Sequence, residues 1–182
     1  SPPLRQRIST RLASVLEQRI ESQTTKKQEL IAAYALEALF RLALASSISK
    51  FIPLKILACI KSNANNLYAQ HAAKLAGVAL YAWQEPELVV TLNELRKIED
   101  AEGEAAFELA LVSLSKALDA GSLEEINQHL EITKALLRDV QAVDEDRADA
   151  AAYAAVVDII RGFSTGAPAE FMNERAESLT RA

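Results

Sequence analysis

The chain has 182 residues, half of them hydrophobic and a quarter charged, with 20 basic against 25 acidic side chains and a formal net charge of −5 at pH 7. That composition excludes a disordered acidic tail and a collagen-like or mucin-like polymer, and the length suits one domain. Thirty-three alanines against five glycines, five prolines and 5% aromatic content argue strongly against a β-rich fold, because sheets draw on branched and aromatic residues and frequent turns.

Apolar spacing and breakers together predict helices near residues 4–21, 26–46, 48–62, 66–83, 87–100, 104–119, 123–142, 145–162 and 168–180. Thr25 with Gln28, and Ser122 with Glu125, have capping-box spacing, and Asn65 and Asp144 are N-cap candidates. Pro86 and Pro168 suit first helical turns, Pro53 marks an alternative start for its helix, and Gly103 and Gly121 are placed where helices stop.

The segment Leu30 to Leu44 is apolar nearly all round, relieved by Glu37 and Arg41 at i,i+4, which predicts a central helix touched on several sides. Phe107, Leu111, Leu114 and Leu118 form one amphipathic stripe, and Leu123, Ile126, Leu130, Leu137 and Val140 another. Ala148, Ala152, Ala155 and Ile159 form a small-residue seam suited to close helix approach. In Ser49–Lys61 the apolar residues point in every direction, which suits burial in protein better than lying flat on a membrane surface.

Alanine doublets recur at Ala32-Ala33-Tyr34, Ala72-Ala73-Lys74, Ala105-Ala106-Phe107 and Ala151-Ala152-Tyr153, with irregular spacing near that of helical-hairpin repeats. The expected fold is all-α, with about eight or nine helices in antiparallel hairpins. They form either an irregular solenoid-like stack or a compact orthogonal bundle, in a single domain over 1–182.

One cysteine, Cys59, cannot form an internal disulfide, so a reducing, cytoplasmic setting is expected. Glu37, Arg41, Lys50, Lys55, Lys61, Lys74 and Glu85 interrupt every apolar run, leaving no candidate membrane span. The chain begins Ser1-Pro2-Pro3 and has Met172 as its only methionine, so it is expected to be a piece of a longer protein.

Few residues suggest chemistry. Gly162-Phe163-Ser164-Thr165-Gly166 matches G-x-S-x-G, but it follows a helix rather than a strand, and both histidines precede Ser164. Glu125 and His129 lack the companions of a bundle metal site and read as a solvated pair, and His71 reads as a packing or capping residue. The acidic clusters 99–104 and 144–149 straddle helix starts, where carboxylates complement the helix dipole; magnesium held there would make the chain a metal-dependent hydrolase, the remotest alternative. No catalytic residue, metal or cofactor is therefore expected.

Charge is segregated: residues 1–80 carry a net +7 and the remainder −12. Such asymmetry can mark the basic part as a contact surface, with Arg5, Arg7, Arg11, Lys26 and Lys27 as candidate partner-binding residues, and the acidic part of the same molecule or of a second copy is the first neutralising partner to expect. The expected function is a non-catalytic protein–protein interaction or scaffold domain, joined to another protein or to itself through complementary charged surfaces. The competing expectation is a nucleic-acid-associated domain using the same basic residues, although no aromatic stacking platform accompanies them.

Overall fold

A computed structural model describes residues 2–21, 26–45, 48–62 and 66–181. These residues form α1 (Pro2–Glu21), α2 (Lys26–Leu44), α3 (Phe51–Ser62), α4 (Asn66–Trp83), α5 (Pro86–Leu95), α6 (Glu102–Asp119), α7 (Leu123–Val143), α8 (Ala148–Thr165) and α9 (Ala169–Arg181). The protein is all-α, and no strand occurs among the described residues. None of these helices is long and apolar enough to cross a membrane. Contacts divide the chain into two compact units, Ser1–Ala105 and Ala106–Ala182, with the division falling inside α6.

In the first unit α4 packs on both α2 and α5, α1 packs on α3, and the sequence neighbours α1–α2, α2–α3 and α3–α4 also touch. The reason is visible on α4, where Ala69, Ala72, Ala73, Ala76 and Ala79 are all fully buried at i, i+3, i+4, i+7 and i+10. A methyl-sized side chain lets a neighbouring axis approach closely, and α2 and α5 both border this helix. Leu36, Leu39 and Phe40 of α2 and Leu88, Leu92 and Leu95 of α5 complete the core. Each such side chain, once buried, stabilises the fold by about 1.5–3 kcal/mol. The Phe40 and Trp83 rings stack at 5.9 Å with an interplanar angle of 15°.

The central position predicted for Leu30–Leu44 holds, since α2 borders α1, α3 and α4. It is not wholly enclosed, however: Tyr34, Ala38, Arg41 and Leu42 face solvent. The Glu37–Arg41 pair forms as its spacing predicts, with Arg41 Nε donating to Glu37 Oε1 at 2.8 Å. In the first turn of α3, Pro53 is buried while Phe51 is exposed, so that turn is covered on one side only.

In the second unit, consecutive helices pack together, α7 with α8 and α8 with α9. Its core joins Ala106, Phe107, Ala110 and Leu114 of α6 to Leu130, Leu137 and Val140 of α7 and Ala150 and Val157 of α8. Two stripe residues depart from expectation: Leu118 and Leu123 are 66% and 61% exposed, because each lies at the solvent-facing end of its helix. Thr133 takes an inward position instead, and its hydroxyl donates to the His129 carbonyl at 2.8 Å. The small-residue seam on α8 also shifts. Ala155 is buried but Ala148 is exposed, since the helix is flanked by α7 and α9 and buries Ala150, Ala155, Val157 and Gly162 on more than one face.

Several predicted boundaries move. α5 ends at Leu95 rather than near residue 100, and residues 96–101 turn without any glycine or proline. Gly103 lies in the first turn of α6 rather than at a helix end, and Asp144 caps the end of α7, with Arg147 preceding α8. Ser122 does cap α7, accepting from the Glu125 amide at 3.2 Å. Pro86 occupies the first turn of α5. Thr25 and Asn65 lie outside the described residues.

Candidate functional site

The predicted basic residues divide into two groups. Arg7 and Arg11 are both exposed on α1 and, with Gln6, Thr10 and Ser14, line an open groove of about 620 Å³. Arg5, Lys26 and Lys27 lie on α1 and α2 by their backbone, but their side chains fall outside the described residues.

Beside the two arginines the structure places a feature not singled out in the sequence. Leu4, Ile8 and Val15 are 55%, 58% and 42% exposed. At about 100° per residue these three and Arg11 fall within an arc of about 60°, with Arg7 at its edge. Ser9, on the far side of the helix, is buried and donates its hydroxyl to the Gln6 carbonyl at 2.9 Å. The helix therefore turns its polar serine inward and presents aliphatic side chains flanked by guanidinium groups to solvent. Spacing alone puts Leu4, Ile8 and Val15 on one face; that this face points outward depends on how α2 and α3 pack against the opposite side.

In the same unit, His71 Nε2 on α4 lies 3.5 Å from Glu37 Oε2, joining α2 to α4. The Arg41 hydrogen bond holds the Glu37 carboxyl below the usual glutamate range, the Arg41 and His71 charges act in the same direction, and desolvation opposes them.

A second concavity, of about 530 Å³, is lined by residues of α7, α8, α9 and the loop joining the last two. Lys134 Nζ lies 2.6 Å from Asp158 Oδ1, and Arg175 Nε lies 3.6 Å from the other oxygen. Arg161 Nη1 pairs with Glu131 Oε1 at 2.5 Å, and the Arg175 guanidinium carbon lies 5.5 Å from the centroid of the Phe171 ring. No sequence motif pointed to this cleft, because its charges come from three helices and converge only on folding.

The remaining candidates take structural roles. Ser164 sits in the last turn of α8, not on a strand-to-helix elbow, and donates to the Arg161 carbonyl at 2.8 Å. Glu102 and Glu104 stand in the first turn of α6 and Asp149 in the first turn of α8, each at a positive helix end. Among the described residues no group of His, Cys, Asp and Glu is placed to hold a metal ion.

No protein-family model, curated protein or solved structure matches this chain.

Proposed function

We propose that this chain is a non-catalytic helical interaction domain that docks an acidic, amphipathic segment of another protein on the outward face of α1. The observation that carries the reading is the exposure of Leu4, Ile8 and Val15 together with Arg7 and Arg11 on one side of one helix. An apolar stripe bordered by cations is matched by a partner helix with an apolar face bordered by carboxylates. The segregation of +7 and −12 along the chain supports a surface selected for sign.

Nucleic acid is the less favoured partner. Phosphates engage the arginines but give three exposed aliphatic side chains nothing to bury against, and α1 contains no aromatic residue for base stacking.

Fluorescence anisotropy with labelled probes tests the reading. A leucine–glutamate amphipathic peptide is expected to bind with an affinity that falls as salt rises, and Arg7→Glu/Arg11→Glu to abolish that binding. A leucine–lysine peptide is expected not to bind. Preference for a DNA duplex over the acidic peptide, or equal binding of both peptides, contradicts the proposal. A mass measurement showing a salt-sensitive dimer that Arg7→Glu/Arg11→Glu disperses would replace the foreign partner with a second copy of this chain.

A further inference from the structure

Arg7 and Arg11 stand one helical turn apart on α1, a spacing that sets their Cβ atoms about 5–6 Å from each other. Both are exposed, and neither forms an ion pair or a side-chain hydrogen bond among the described residues. The surrounding sequence supplies no counter-charge, since the first acidic residue of the chain is Glu17. Like charges at this spacing repel each other, and an anion shared between the two guanidinium groups relieves that repulsion.

The surroundings suit an anion with more than one oxygen to offer. At about 100° per residue, the apolar stripe of Leu4, Ile8 and Val15 is bordered by Arg11 and then Arg7, beyond which come Ser14, Thr10 and Gln6. These last three line the same open groove as the arginines. Thr10 donates its hydroxyl to the Gln6 carbonyl at 2.8 Å, so the neutral donors beside the two cations are the Gln6 side-chain amide and the Ser14 hydroxyl. A carboxylate brings one charge and two oxygens, enough for one guanidinium fork. A phosphate monoester brings nearly two charges and three acceptor oxygens at neutral pH, and so matches two forks at once.

We infer that the segment docked on α1 is recognised through a phosphorylated serine or threonine, its phosphate held between Arg7 and Arg11 while apolar side chains of the segment cover Leu4, Ile8 and Val15. The inference rests on the docking reading above and adds its regulation: carboxylates of the segment supply the basal attraction, phosphorylation of the partner strengthens the contact, and dephosphorylation weakens it.

Fluorescence anisotropy on the full chain tests it. Three leucine–glutamate peptides differ only at one position bordering the apolar face, which carries serine, glutamate or phosphoserine; a fourth has a further glutamate that matches the charge of the phosphate. The phosphoserine peptide is expected to bind about tenfold more tightly than the glutamate and charge-matched peptides, with serine the weakest. That advantage is expected to shrink as pH falls below about 6, where the phosphate gains a proton. Arg11→Lys keeps the charge but loses the planar fork, and is expected to bring phosphoserine down to the level of glutamate. If the glutamate peptide binds and phosphoserine adds nothing, or if the charge-matched peptide binds as tightly, the inference is overturned while the docking reading stands. An advantage that Arg11→Lys leaves intact overturns it as well. If no peptide binds, both fall.

Discussion

The Arg147 guanidinium carbon lies 4.2 Å from the centroid of the Phe107 ring, fixing the residue that precedes α8 to the core face of α6. The same side chain donates from Nε to Asp149 Oδ1 at 2.8 Å and from Nη2 to Oδ2 at 3.3 Å, and Phe107 meets Tyr153 edge-on at 5.6 Å. One arginine thus joins the entry to α8, an acidic side chain of its first turn, and an aromatic pair in the core. Arg147→Met is expected to cost about 1–2 kcal/mol, combining a cation–π contact with a partly exposed ion pair. Urea denaturation of the full chain followed by circular dichroism measures it, and a loss near zero would show that the stacking is incidental.

Acidification probes the same tie. Burial raises the Asp149 carboxyl, but the Arg147 hydrogen bonds and charge, with the Ala150 amide, outweigh it and leave the group below the usual aspartate range. A carboxyl lowered on folding contributes stability that is present above its unfolded range and lost as pH falls through the folded one. Glu37 on α2 follows the same sign through Arg41. Stability measured from neutral pH downward is therefore expected to fall less steeply in Glu37→Gln than in the unaltered protein, the two converging in acid. Parallel curves would contradict the account.

Two leucines from the amphipathic stripes separate spacing from burial. Leu137 is 1% exposed and Leu118 is 66% exposed. Leu137→Ala is expected to cost about 2–5 kcal/mol through lost burial and the cavity left behind, whereas Leu118→Ala is expected to stay within about 0.5 kcal/mol. Equal costs in thermal or urea unfolding would mean that Leu118 is covered in solution.

Gly166 ends α8 with φ +68°, and its amide meets the Gly162 and Phe163 carbonyls. A Cβ added there finds nothing within 4 Å, so the cost of Gly166→Ala is one of backbone conformation alone, about 1 kcal/mol. Gly121 has the same open surroundings without the positive φ, and Gly121→Ala is expected to be neutral or slightly stabilising. Comparing melting temperatures checks the pair; a larger loss at Gly121 would contradict it.

The helical content and most helix positions were legible because alanine, capping serine and proline act locally, as at Ser122 and Pro86. What escaped was decided by neighbours. Pro86 marked the break after α4 but not that Gln84 makes it at φ +52°, and the turn over 96–101, with no glycine or proline, gave no signal at all. The fully buried alanine stripe lies on α4, although the α8 alanines looked like the better seam. The four alanine doublets share no repeating role: Ala72-Ala73 and Ala105-Ala106 are buried, Ala151 and Ala152 only partly, and Tyr34 and Lys74 are exposed where Phe107 is buried. The basic character of α1 was readable in Arg7 and Arg11; the outward direction of Leu4, Ile8 and Val15 was not, because it depends on which side of the helix the fold covers.

That outward face is the center of the functional proposal, and mapping a bound acidic amphipathic peptide by backbone amide shifts tests it most directly. The account predicts shifts concentrated between Leu4 and Val15, abolished by Arg7→Glu/Arg11→Glu and weakened by Ile8→Ser. Shifts that bypass α1, or binding that survives both variants, would contradict it.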